Sequence, residues 1–220
     1  MRGRAFAAGR ACGRGAAAPL PSRKAPHALI SAGAPGGRDA RCAMSSKLSK
    51  KELADLIQTL CVLVVDDNQY MRKMVRNLLV NCGVKDVHEA ADGIAAIDAI
   101  RTISPHVVIL DWEMPLLSGA ELVRIVRSPG VFPTPDVPII MLSAHGERWR
   151  VIEAVRLGVN EYLIKPVSAK ALYDRLASIM MQPRPAVQLG EYYGPEPRKL
   201  AAGNIDDIGL GAMTPATALI

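Results

Sequence analysis

The stretch His106-Val107-Val108-Ile109-Leu110-Asp111 decides how this chain is read. Four consecutive apolar residues, with two valines and an isoleucine among them, predict a strand buried on both faces. Asp111 closes the run, and Trp112-Glu113-Met114-Pro115 follow, with Ser118-Gly119 just beyond. Pro115 and the Ser-Gly pair stop the strand and mark a loop. A carboxylate therefore stands at the carboxyl end of a central strand, where open α/β sheets carry their chemistry.

On either side of this strand the same pattern recurs. Cys61-Val62-Leu63-Val64-Val65 predicts a buried first strand that runs straight into Asp66-Asp67. Met71, Met74, Val75, Leu78, Leu79 and Cys82 then fall at helical spacing, and Gly83 ends that helix. Val84 to Ala90 is a weaker second strand, and Asp92-Gly93 turns the chain into a helix carrying Ile94, Ile97 and Ile100. After the opening strand, Gly119 to Arg127 is a third helix with Leu122, Val123 and Val126 inward. A long proline-rich loop, 128–136, leads to a fourth buried strand, Val137 to Leu142, which ends at Ser143. Glu147 to Leu157 is a fourth helix, Glu161 to Ile164 a fifth strand ending in Lys165-Pro166, and Ser168 to Met181 a fifth helix.

Strands alternating with helices over residues 61–182 predict an α/β fold: a doubly wound, five-stranded parallel sheet with helices on both faces. Ahead of it, in the segment 44–60, Ser49-Lys50-Lys51-Glu52 is a capping box. Leu53, Leu56, Ile57 and Leu60 follow as an amphipathic stripe. That stripe is expected to pack on its own domain, with docking on a partner as the other possibility. Residues 183–220 hold five prolines and five glycines with weak periodicity, and are expected to be a mostly disordered tail. Its Asp206-Asp207 pair follows no strand and reads as solvated charge.

The net charge of +6 is unevenly placed. Residues 1–43 carry eight Lys/Arg and one acid, a net +7, and the remaining chain carries 19 basic and 20 acidic residues, a net −1. Basicity belongs to the first segment, so the overall charge gives no ground for direct DNA binding by the folded part. Residues 1–43 are mostly Ala, Gly, Arg and Pro, without periodicity, and are expected to be disordered. Their composition resembles an organelle transit peptide, but the preferred reading is that translation begins at Met44. No apolar run reaches the ~18 residues a membrane span needs. Cys12, Cys42, Cys61 and Cys82 show no metal-ligand spacing; Cys61 and Cys82 read as small core residues of a reducing, cytoplasmic compartment.

In a parallel sheet every strand end of one kind lies on one edge. Asp66, Asp67, Asp111, Ser143 and Lys165 are therefore expected to converge. Two carboxylates at ~4 Å repel by roughly 4 kcal/mol at an effective dielectric near 20, so the cluster calls for a cation. Hard oxygen ligands with open positions suit Mg²⁺. Lys165 and the Ser143 hydroxyl would hold an anion beside it. The set suits transfer of a phosphoryl group onto a carboxylate. Taken singly, an Asp at a strand end is ordinarily a helix N-cap, and a Lys there is ordinarily solvated; four such strand ends in one domain outweigh that.

Val64-Val65-Asp66-Asp67, Leu110-Asp111 with Met114-Pro115 and Gly119, Met141-Leu142-Ser143-Ala144, and Lys165-Pro166 together resemble the receiver domain of bacterial two-component response regulators. The resemblance covers about residues 61–182. It implies a flavodoxin-like strand order 2-1-3-4-5, and Asp111 as acceptor of a phosphoryl group from a sensor histidine kinase or phosphotransfer protein. It also implies Mg²⁺ held by Asp67 and Asp111 with the backbone carbonyl of Glu113, Asp66 acting largely through water. Lys165 would pair with the phosphoryl oxygens, Ser143 would swing to them, and Tyr162 would turn inward as Ser143 moves. Lys165-Pro166 would be a cis peptide. Glu113 and His145, each two residues past a site residue, are expected to set the lifetime of the phosphate. The output would be protein contact through the fourth helix, fifth strand and fifth helix. The 128–136 loop is longer and richer in proline than in the simplest relatives.

The reading is a stand-alone switch rather than an enzyme. Three alternatives are a phosphorelay intermediate or phosphate sink, a Mg²⁺-dependent phosphatase with an Asp nucleophile, and a DNA-binding regulator acting through the basic N-terminus. The phosphatase ordinarily has a second Asp two residues after the nucleophile, where this chain has Glu113.

Overall fold

The computed structural model describes residues 49–197. The basic segment 1–43 and the Asp206-Asp207 pair lie outside the described residues. In chain order the elements are α1 (Lys50–Gln58), β1 (Cys61–Val65), α2 (Gln69–Asn81), β2 (Asp86–Ala90), α3 (Gly93–Ile103), β3 (Val107–Asp111) and α4 (Gly119–Val126). There follow β4 (Ile139–Ser143), α5 (Arg148–Arg156), β5 (Glu161–Ile164), α6 (Ala169–Met181), β6 (Ala186–Leu189) and β7 (Tyr192–Pro195). The helices that the sequence numbers first to fifth are thus α2 to α6.

β1 to β5 form one parallel sheet in the order β2-β1-β3-β4-β5. β1, β3 and β4 are buried at every position, as apolar runs covered on both faces must be. Alternate residues serve two cores. Leu63, Val65, Val108, Leu110, Ile139 and Met141 pack with Ala96 and Ile100 of α3 and Leu122, Val123 and Val126 of α4. Val62, Val64, Ile109, Ile140 and Leu142 pack on the other face with Val75 and Leu79 of α2 and Leu172 and Leu176 of α6. α1 joins that second core through Leu53 and Ile57, so its stripe is covered by its own domain. The Ser49–Glu52 capping box is formed in both directions.

Two expectations differ from the structure. Val137 and Pro138 precede β4, because proline offers no N–H to the ladder; only its carbonyl is used, by Val108 N at 2.9 Å. Within the proline-rich 128–136 loop, Phe132 is buried in the core, with Arg101 over its ring. The start of the Pro/Gly-rich stretch expected to be mostly disordered contains an antiparallel hairpin, β6–β7, and residues 198–220 of it lie outside the described residues. Its tie to the domain is local. Buried Tyr192 donates its hydroxyl to Pro195 O at 2.7 Å, and Arg184 donates to the carbonyls of Asn160 and Glu196. Gly194 approaches Gly158 so closely that a Cβ on Gly158 would stand 2.6 Å from Tyr193 O. The glycines that lower the stretch's apparent order are what let two backbones touch.

Candidate functional site

The carboxyl edge of the sheet gathers the groups that end β1, β3, β4 and β5. Asp66 follows β1 directly and is fully buried. Its Oδ1 accepts from Asn68 N at 2.8 Å, while Asn68 in turn caps α2 by accepting from Tyr70 N. Asp67, next along, is exposed. Asp111 ends β3 and is 6% exposed. One carboxylate oxygen from each of Asp66, Asp67 and Asp111 falls within 4.8 Å of the others. Lys165 extends from the end of β5 into this group. Its Nζ lies 3.0 Å from Asp66 Oδ2 and 3.0 Å from Asp111 Oδ1.

Burial pushes the Asp111 carboxyl above its usual range and the Asp66 charge adds to that, with Lys165 working against both. Burial also pulls the Lys165 ammonium down, but hydrogen bonds and charge from Asp111 and Asp66 outweigh it and hold Lys165 above the ordinary lysine value. A single ammonium facing three carboxylates leaves the cluster short of positive charge. The donor set is all oxygen, hard, and partly open at Asp67, which fits a small divalent cation.

Backbone geometry fixes Asp111. Gly119 N donates to Trp112 O at 2.9 Å, and a Cβ on Gly119 would collide with the carbonyl oxygen of Asp111. Between them the chain makes a tight turn, with Leu117 N donating to Pro115 O at 2.8 Å and Leu116 at φ 68°. Such a conformation is uncommon for a non-glycine residue, and Leu116 is 89% exposed at its apex. Lys165-Pro166 is cis.

Ser143 is fully buried at the end of β4, and its Oγ accepts from His145 N at 3.0 Å. Tyr162 is half-buried, donates its hydroxyl to His145 O at 2.7 Å and meets the Trp112 ring edge-on at 6.4 Å between centroids. Both side chains therefore hold the backbone of one residue, His145. The His145 ring reaches the other way: Nε2 lies 3.0 Å from Glu113 Oε1, and Nδ1 lies 3.4 Å from Glu147 Oε1. Glu113 and His145 thus meet each other at the rim of the site.

Sequence reading missed Arg150. It comes from the first turn of α5 and lays its guanidinium over the rings of Trp112 (5.4 Å) and Trp149 (4.7 Å), with Nη2 3.7 Å from Glu113 Oε1. Its Nε is buried without a hydrogen-bond partner. No local spacing announces this residue, because its partners come from the loop after β3. Among the described residues no helix is long and apolar enough to cross a membrane.

Several known proteins are similar to part of this chain. The chemotaxis protein CheY homolog of Campylobacter jejuni is 38% identical over 120 residues, spanning 54% of this chain and 91% of that protein. Chemotaxis protein CheY1 of Helicobacter pylori is likewise 38% identical over 120 residues, 54% of this chain and 95% of that one. The receiver domain of Francisella response regulator 1452 shares 32% identity at a TM-score of 0.49, covering 54% of this chain and 93% of that one. The family model described as "Response regulator receiver domain" matches residues 62–177, more than half the chain, and the chain belongs to that family.

Proposed function

We propose that this protein is a phosphorylation-dependent signalling switch of a cytoplasmic two-component phosphorelay. Asp111 is the phosphoacceptor, a sensor histidine kinase or phosphotransfer protein is the donor, and a Mg²⁺ ion is the cofactor. The observation that carries this reading is Lys165 Nζ at 3.0 Å from Asp111 Oδ1, beside two further carboxylates within 4.8 Å. Asp67, Asp111 and the Glu113 carbonyl would hold Mg²⁺ directly, with Asp66 behind them. When bound, the ion supplies positive charge that lets an anionic phosphoryl group approach a carboxylate.

The chain's own residues do the rest. An Asp111 carboxylate oxygen attacks phosphorus, the donor's P–N bond breaks, and the imidazole leaves with a proton from solvent. Lys165 would pair with the phosphoryl oxygens, a role that its position 3.0 Å from Asp111 Oδ1 supports. Ser143 then exchanges the His145 N–H for a phosphoryl oxygen, which loosens the residue that Tyr162 also holds. The shared attachment of Ser143 and Tyr162 to His145 supports a coupled two-state movement. Trp149 and Ile164, exposed on α5 and β5, support an output through protein contact on the α5–β5–α6 face.

Incubation with Mg²⁺ and acetyl phosphate, followed by intact-mass measurement, tests the proposal. Wild-type protein gains one phosphoryl group that is lost without Mg²⁺ and absent from Asp111→Asn. Steady turnover of many phosphate esters, with no isolable phosphoprotein, would point instead to a phosphatase.

A further inference from the structure

The sheet carries a second cluster of ligand-type side chains at its opposite edge. Cys61 opens β1, and Asp86 opens the neighbouring edge strand β2, directly paired with it. His88 lies two residues on in β2. Parallel pairing puts Cys61 and Asp86 on one face, and the period of two brings His88 to the same face. The cysteine sulfur, a carboxylate oxygen and an imidazole nitrogen all lie within 4.8 Å of one another. His88 Nε2 is 2.9 Å from Asp86 Oδ1. Asp66 lies five residue steps along the extended strand from Cys61, so this cluster stands roughly 16 Å from the acid site at ~3.3 Å per residue.

We propose that Cys61, Asp86 and His88 form a binding site for a Zn²⁺-class divalent cation, distinct from the phosphoacceptor site. The three donors are chemically mixed, and thiolate, imidazole and carboxylate together are a set that a borderline-soft tetrahedral ion takes. Ligand atoms around such an ion stand about 3.5 Å apart for bonds of ~2.0–2.3 Å, a spacing the cluster reaches with small side-chain rotations. The thiol end is rigid. Cys61 N donates to His106 Nδ1 at 2.9 Å, and Cys61 O accepts from His106 N at 2.8 Å. Access is from the edge of the sheet, past side chains of His88 and Asp86 that are 40% and 37% exposed. Water would take the fourth position.

A Cys-His-Asp grouping also suggests a nucleophilic thiol. Cys61 is fully buried at the start of an interior strand, so no substrate carbon reaches the sulfur, whereas a small ion would enter as the half-exposed Asp86 and His88 side chains move aside. The geometry therefore favours coordination over covalent catalysis.

The test is titration of the reduced, metal-free full chain with Co²⁺ as the optical probe, followed by Zn²⁺ competition. Wild-type protein is expected to develop a thiolate-to-cobalt charge-transfer band with the visible bands of a tetrahedral ion at one equivalent, displaced by Zn²⁺. Cys61→Ala removes the charge-transfer band. His88→Ala, at a half-exposed position that leaves the fold intact by circular dichroism, weakens binding by about tenfold or more. Cys82→Ala and Asp111→Asn leave both unchanged. The proposal is overturned if no charge-transfer band appears, if it survives Cys61→Ala, or if folded His88→Ala binds as the wild type does.

Discussion

Lys165 Nζ lies 3.0 Å from Asp111 Oδ1 and at the same distance from Asp66 Oδ2, so one ammonium from β5 ties together carboxylates from β3 and β1. Removing it leaves two buried negative charges facing each other. Lys165→Met is expected to lower unfolding stability by roughly 3 kcal/mol, the order found when one partner of a buried pair is deleted. Asp111→Asn in the same chain should recover part of the loss, because it removes one of the two uncompensated charges. Urea unfolding of the two single variants and the double variant checks this; strict additivity would mean that the charges do not share the ammonium.

The raised Asp111 carboxyl sets a pH dependence. A folded-state value above the unfolded one means that the native state holds the proton more tightly. The stabilisation belongs to the protonated form: it is complete below the ordinary Asp range of ~3.9 and lost as pH rises through the folded value. Without divalent cation, Asp111→Asn should match wild type in stability at the acid end and exceed it increasingly as pH rises toward neutrality. Denaturant midpoints measured across that range provide the test.

A cation that relieves this repulsion binds the native state alone. Mg²⁺ at ten times its dissociation constant is expected to add about 1.4 kcal/mol to stability. Differential scanning fluorimetry should show a rise in melting temperature for wild type that is much reduced in Asp67→Ala and Asp111→Asn. His88→Ala should retain the full rise, because its cluster lies at the other edge of the sheet.

Much of this was legible in the chain. The five strands of the sheet were readable because β1, β3 and β4 are continuous apolar runs. The residues that close the runs were readable as a site because parallel strands deliver their ends to one edge. Asp66, Asp111 and Lys165 do lie together at that edge. Arg150 was not legible, since its position over Trp112 depends on how α5 packs against a loop more than thirty residues earlier. Nor was the grouping of Cys61 with Asp86 and His88, which follows from strand register, and a short linear motif carries no register. The hairpin was hidden for a third reason: composition counts glycine and proline as breakers, while Gly194 serves close approach and buried Tyr192 supplies the anchor.

Gly119 is a position where size alone decides. A Cβ there would overlap the carbonyl oxygen of Asp111, backbone against backbone, with no flexible side chain to yield. Gly119→Ala is expected to cost about 2 kcal/mol or more and to displace the acceptor carboxylate as the strand end shifts. The signature is a loss in acetyl phosphate labelling larger than the fraction unfolded accounts for.

Glu113 and His145 contact each other at 3.0 Å across the rim of the site, from the loops after β3 and β4. If Asp111 carries a phosphoryl group as proposed, these side chains are expected to flank the water that hydrolyses it. Exchanging Glu113 for Ala and His145 for Ala together should change the dephosphorylation rate by about tenfold, equivalent to ~1.4 kcal/mol of barrier. Single-turnover loss of label from purified phosphoprotein measures it, and an unchanged rate would remove these residues from any role in phosphate lifetime.

The hairpin gives a prediction in which chemistry and stability separate. β6–β7 rests against Gly158, which precedes β5, and therefore sits at the edge of the sheet away from the acids. Beneath it, Arg127 is buried and donates to Gly158 O, Pro135 O and Asn160 Oδ1, and burial pushes its guanidinium down to about 10. Tyr192 lies close enough to influence the Arg127 charge and closes the hairpin on itself through Pro195 O. Tyr192→Ala deletes that closure without touching the five-stranded sheet. The cost is expected to be about 3 kcal/mol, the order for removing a buried aromatic side chain, and it should fall on the hairpin first. Limited proteolysis should then cut between residues 186 and 195 while Mg²⁺-dependent labelling of Asp111 proceeds at the wild-type rate. Loss of labelling in a Tyr192→Ala protein that remains folded would show that the two edges of the sheet are coupled, contrary to the separation argued from the positions of Gly158 and Asp111.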